Sequence, residues 1–226
     1  MRKNQSSLVR EIDALIKKRS ILKHPFYQAW QMGALTRPML QNYSRQYYSH
    51  VAAFPQYLSA VHSKMDNAQD RRLMLENLVD EEFGNKNHPL LWEQFAAALG
   101  VSKPSLEKTR LSRETRAFVT HFKKATQKGS VAEGIAALYV YESQIPRVSD
   151  EKIRGLKKFY GVRSKKGLEY FEVHKKADVE HSAAERTLIR KYTSKTEQKR
   201  VLKVVSATLD AYWNLLSGME RSFVAQ

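Results

Sequence analysis

The chain has 226 residues, enough for one sizeable core, and no Pro- or Gly-rich linker divides it, so it reads as one domain over 1–226, ordered over about 7–218. It is 42% hydrophobic with 9 Gly and 6 Pro and has no cysteine, which excludes disulfides, thiolate metal ligands and a cysteine nucleophile and suits a reducing cytoplasm. The net charge of +16 invites an anionic partner, yet Lys and Arg lie in short groups among acids, so a solvated basic surface is expected and specific nucleic-acid binding is not.

Leu, Ala, Lys, Glu and Gln recur at helical spacing, which predicts an all-α fold. No stretch approaches about 18 unbroken apolar residues, so no membrane span is expected. A first helix is predicted from Ser7 to Lys23, stopping before His24-Pro25. A short aromatic helix over Phe26–Trp30 follows, ending near Gly33. Pro38 opens a long, tyrosine-rich helix to about Met65, which Pro55 should kink. Asn67 caps a helix to about Phe83, Leu90 to Leu99 form another, and Ser112 to Lys128 a further one. Ser130-Val-Ala-Glu133 is a capping box opening an apolar helix to Ile145, after which Pro146 bends the chain into a basic helix from Val148 to Phe159. A helical pattern with no Pro and only Gly167 to interrupt it runs from about Lys165 to Tyr192. Ser194-Lys-Thr-Glu197, a second capping box, opens a last amphipathic helix that Gly218 should end.

The helix from Lys165 to Tyr192 carries the most informative stretch, His174-Lys-Lys-Ala-Asp178-Val-Glu-His181. At roughly 100° per residue, His174, Asp178 and His181 project from one side of that helix, which makes half of a metal site. Glu185 lies on the same face, as a spare ligand or as an acceptor behind the ligands. Glu142 sits on an apolar stripe with Ile135, Leu138 and Ile145, so it is expected to be buried and to need a proton or a cation. Arginine pairing is the plain alternative. Glu81 and His88 are seven residues apart and would share a face if their helix continued past Gly84; the spacing favours Glu81 over Glu82. The set Glu81, His88, Glu142, His174, Asp178 and His181 offers oxygen and imidazole without thiolate. That suits two ions of iron or manganese, with zinc second. Two Glu-x-x-His motifs, the mark of ferritin-like sites, are missing. His24, His50, His62 and His121 are expected to cap, hydrogen-bond or lie at the surface, with His50 a candidate to stand behind the ligands.

Several longer stretches resemble a known family. They are His24-Pro-Phe-Tyr27, Tyr47-Tyr48, Ala53-Phe-Pro-Gln-Tyr-Leu-Ser-Ala-Val-His62, Asp80-Glu-Glu-Phe-Gly84, Ala136-Ala-Leu-Tyr-Val-Tyr-Glu-Ser-Gln-Ile-Pro-Arg147, Glu151-Lys-Ile-Arg-Gly-Leu156 and Ala177-Asp178 with His181. Together they resemble the Chlamydia proteins associating with death domains and their bacterial relatives, heme-oxygenase-like dimetal oxidases similar in fold to pyrroloquinoline-quinone synthase and thiaminase II. The resemblance implies a compact bundle of seven or eight helices, a homodimer, and the six ligands above holding iron with iron or with manganese. It also implies p-aminobenzoate formation for folate synthesis from oxygen and an external reductant, with Tyr27 giving the ring and Lys152 the amine. Without it, Tyr27 reads as aromatic packing and Lys152 as a surface charge. Tyr43 and Tyr141 are candidate relays of an electron hole, Tyr141 because it adjoins Glu142. Two rival functions stand beside this one: a dimetal oxidase of an external anionic molecule, and a basic module that binds death domains or other acidic partners.

Overall fold

The computed structural model describes residues 2–224, and they form helices with no strand among them. In chain order these are α1 (Arg2–Lys18), a 3-10 turn (Ile21–Lys23), α2 (Pro25–Met32), α3 (Arg37–His62), α4 (Ala68–Glu82), α5 (His88–Ala98) and α6 (Lys103–Glu107). Then come α7 (Arg113–Lys123), a π turn (Lys124–Lys128), α8 (Val131–Glu142), α9 (Ile145–Lys158), α10 (Lys165–Tyr192) and α11 (Gln198–Val224). No described helix is long and apolar enough to cross a membrane.

Local chemistry sets most starts. Asn67 Oδ1 accepts from the amides of Gln69 and Asp70, and Asn87 Oδ1 from Leu90. Ser130 and Glu133 close both halves of the expected capping box. His24 caps α2 through Nδ1, which accepts from the Phe26 amide at 3.0 Å. Helix α8 is buried on every side from Ile135 to Glu142, as a helix apolar all round must be. Helix α10 packs on α5, α8 and α9, α11 packs on α7 and α8, and α3 packs on α4 and α5. The largest fully buried side chains are mostly aromatic, including Trp30, Trp92, Tyr27, Tyr43, Tyr47 and Tyr212. Each contributes roughly 2–3 kcal/mol of burial.

The chain is cut into more segments than the seven or eight long helices expected, and each difference has a local cause. The first helix stops at Lys18, and the 3-10 turn delivers the chain to His24. α4 ends at Glu82, because Gly84 takes a left-handed φ of 77° before Asn87 starts α5 afresh. The short α6 was not anticipated; Ser102 caps it and Pro104 opens it. α8 and α9 meet end to end, with Pro146 in the first turn of α9. α3 continues as helix through Pro55. α11 runs past Gly218 instead of ending there: a Cβ at that position would lie 2.8 Å from Glu114, so the glycine lets α11 approach α7. Only part of the second capping box forms, with Glu197 accepting from the amide and hydroxyl of Ser194 while the helix begins at Gln198.

Candidate metal centre

Two buried triads sit side by side where α4, α5, α8 and α10 converge. One is Glu81, His88 and His174; the other is Glu142, Asp178 and His181. Within each, one ligand atom per residue lies within 4.8 Å of the others. α10 supplies half of the side chains because positions 174, 178 and 181 share its inner face, all at most 8% exposed. α8 contributes Glu142 from its last turn. Glu81 and His88 do not share a helix face, since Gly84 separates their helices. They meet across the α4–α5 corner instead, His88 Nδ1 lying 2.7 Å from Glu81 Oε1.

Tautomers are set from behind. His174 Nδ1 donates to the Tyr170 carbonyl at 2.7 Å, which leaves Nε2 facing Glu81 at 3.9 Å. His181 Nε2 pairs with Asp80 Oδ2 at 3.1 Å, and its Nδ1 faces Asp178 at 3.5 Å and Glu142 at 3.7 Å. Asp80 thus orients an imidazole that could hold a metal, as carboxylates commonly do behind metal-bound imidazoles. Asn77 donates to Glu142 Oε1 at 2.8 Å. Neither Asp80 nor Asn77 stood out in the sequence, although both lie within one turn of Glu81 on α4.

The fit to cations rests on how the donor atoms are left. Glu142 Oε2 is buried without a hydrogen bond, and His88 Nδ1 and His181 Nδ1 face only carboxylates of their own triads, Asp178 among them. Buried polar atoms are seldom left so, and here they converge. Burial, with Glu142 and Glu81 nearby, raises the Asp178 carboxyl to about 7 against the pull of His181. Asp178 and Glu142 overcome burial to raise His181 to about 11. Burial and neighbouring His88 drive His174 well below the usual histidine range, keeping its Nε2 lone pair free. Oxygen and imidazole donors without thiolate suit iron or manganese, and the two triads support a site for two metal ions.

A second chamber lies between α2, α3, α9 and α11. Lys152, expected at the surface from its pattern alone, is 2% exposed. Its Nζ donates to Tyr43 Oη and stands 5.7 Å from the Tyr27 ring centre, 5.1 Å from that of Tyr47 and 5.2 Å from that of Phe171. Burial lowers its pKa to about 7. α9 can carry it there because Gly155 lets the helix touch α2: a Cβ would lie 2.5 Å from Trp30 Nε1. Tyr27 is fully buried, its hydroxyl near those of Tyr43 and Tyr212 without a well-formed hydrogen bond.

Phenols join the two chambers. Tyr170, whose ring centre is 4.0 Å from that of His174, lies beside Tyr141. Tyr141 Oη is 3.0 Å from Tyr47 Oη, which is 2.8 Å from Tyr212 Oη, and Tyr212 adjoins Tyr27. Burial raises the pKa of each of these five hydroxyls, so all stay protonated. Tyr170 and Tyr212 were not singled out in the sequence; the only signal was tyrosine at apolar-stripe positions. His50, considered as a residue behind the ligands, packs instead among Phe118, Phe122 and Tyr141.

Fold and site together define a helical dimetal redox protein of heme-oxygenase-like form. The family model described as iron-containing redox enzyme matches residues 41–213, and the chain belongs to that family. It is 43% identical to a 4-aminobenzoate synthase of Chlamydia pneumoniae, covering 96% of each chain. With a 4-aminobenzoate synthase of Nitrosomonas europaea it shares 41% identity over 95% of this chain and 92% of the relative. A solved structure with a heme oxygenase-like fold from Shewanella denitrificans, 13% identical, superposes with a TM-score of 0.79 over 96% of this chain and 92% of that one.

Proposed function

We propose that the chain forms 4-aminobenzoate from its own side chains, Tyr27 supplying the ring and Lys152 the nitrogen. The observation that carries this reading is Lys152, a buried amine with no carboxylate partner among the described residues, held 5.7 Å from the ring centre of a buried tyrosine. A structural lysine would hardly be placed there, because burial without an anion penalises its charged form. The same burial makes about half of it free base near pH 7, the form that can attack carbon.

Tyrosine and 4-aminobenzoate share a para-substituted ring. The conversion therefore breaks the Cα–Cβ bond of Tyr27 and oxidises Cβ to a carboxyl group. Lys152 Nζ joins the ring carbon as the phenol oxygen leaves as water, and the Nζ–Cε bond then breaks with Cε left as an aldehyde, oxygen being the oxidant throughout. Glu81, His88 and His174 would hold one ion and Glu142, Asp178 and His181 the other, as iron with iron or iron with manganese. Bound there, the ions supply oxidising power from oxygen and an external reductant, which acid–base groups cannot. The protein's own part is to place and protect the reacting groups. Tyr43 Oη accepts from Lys152 Nζ and holds it against the ring. Aromatic walls exclude water. Tyr141, Tyr47 and Tyr212 can pass an electron hole toward Tyr27, each hydroxyl handing its proton along the row.

The test is mass spectrometry of the chain after loading with iron and manganese and adding reductant and air. Loss of mass at Tyr27 and Lys152, with at most one 4-aminobenzoate per chain, is the expected result. An intact Tyr27 and no product in a metal-filled protein would overturn it in favour of an oxidase with an external substrate.

A further inference from the structure

Glu185 stands one turn beyond His181 on the inner face of α10 and is 1% exposed. Both of its carboxyl oxygens are buried without a hydrogen-bond partner. Its polar neighbours include Glu142, which its carboxyl faces within hydrogen-bonding range, Asp178, and Tyr139, whose hydroxyl donates to Asp13 instead. Among the described residues no N–H or O–H group donates to it, so a role as an acceptor behind the ligands has no donor to serve. Around the second triad, therefore, three carboxylates gather with His181 as their one imidazole, whereas the first triad sets one carboxylate beside two imidazoles. Carboxylates brought together out of water repel strongly, and a divalent ion is the group that turns that repulsion into binding.

We propose that Glu185 is a seventh protein ligand, binding the ion held by Glu142, Asp178 and His181. This rests on the dimetal reading above and extends it: the two positions differ in kind, one rich in nitrogen and the other in carboxylate oxygen. The carboxylate-rich position is the one whose ion depends on Glu185.

Glu185→Gln separates a ligand from a hydrogen-bonding neighbour, because the amide can still donate to Glu142 but is a poor ligand. The probe is manganous ion alone, added without oxygen, with free ion followed by electron paramagnetic resonance and bound ion counted after gel filtration. Wild type should hold about two ions and Glu185→Gln about one, with affinity at the weaker position falling by about 100-fold, the upper end of what removing a supporting group costs. Glu185→Asp, which keeps the charge on a shorter arm, should fall between the two. The far-ultraviolet spectrum and the ion retained at Glu81, His88 and His174 report that the variants fold. Two ions in Glu185→Gln at wild-type affinity would overturn the ligand role and leave the dimetal site standing. If Glu185→Gln does not fold, Glu185→Asp binding both ions as wild type does would overturn it. A wild-type chain that binds no ion would overturn both.

Discussion

The two buried chambers solve the same difficulty in opposite ways. At the metal end, carboxylates and imidazoles converge with orphaned atoms, and the arrangement is complete only with cations. In the tyrosine–lysine chamber the phenols hydrogen-bond to one another, and Lys152 rests on aromatic faces with Tyr43 as acceptor. The first is built to bind, and its stability should follow its ligand. The second is held by its own rings and hydroxyls, with the Tyr27 hydroxyl left without a well-formed bond, and its stability should not follow a metal.

The largest effect should come from removing the ions. Chelation should abolish product and lower stability by about 4 kcal/mol relative to protein held at a thousandfold excess of metal over its dissociation constant. Thermal melts with and without metal check this, and Glu142→Ala should shrink the difference to what the ion at Glu81, His88 and His174 supplies. In the other chamber activity and stability should part company. Tyr27→Phe should yield no 4-aminobenzoate yet change stability by less than about 1 kcal/mol, because the hydroxyl it removes has no well-formed bond. Lys152→Met should also yield none while gaining about 1–4 kcal/mol, since an unpaired buried cation gives way to an apolar side chain. Denaturant titration would sink the contrast if either variant were strongly destabilised.

Smaller effects sharpen the comparison. Asp80→Asn should weaken metal binding about 10- to 100-fold by loosening His181, with no effect on the lysine chamber; a metal titration measures it. The pH effect should belong to the lysine. Its pKa is lowered to about 7, so the ammonium form prevails below that value and the free base above it. Single-turnover nitrogen incorporation should therefore rise about tenfold from pH 6 to pH 8. A flat profile would remove Lys152 as the nucleophile.

How much of this could be read from the sequence depends on how local each feature is. His174, Asp178 and His181 were legible because one helix aligns them, and the bounds of that helix, Lys165–Tyr192, match the expected ones. Glu142 was legible as a charge on an apolar stripe. Glu81 and His88 were reached through a shared helix face that does not exist, and they meet because the corner at Gly84 folds one helix end toward the other. Asp80, Asn77 and Tyr212 act through contacts between helices, and no spacing within one helix encodes those; Tyr170 lies one turn before His174 on α10, and only its link to Tyr141 crosses between helices. The burial of Lys152 is of this kind too. A lysine on a basic helix looks solvated until Gly155 is seen to dock that helix on Trp30.

The placement of Tyr27 has a consequence for the chain after it has reacted. The ring is wholly enclosed and touches Phe26, while Lys152 stands over it. On the proposed reaction its departure leaves a hole the size of an aromatic side chain in the middle of the protein. Truncating a buried aromatic typically costs about 3–5 kcal/mol, a large part of what holds a domain together. A chain that has delivered its product should therefore open more often than a fresh one, and proteolysis of reacted against unreacted protein would show it as faster cleavage.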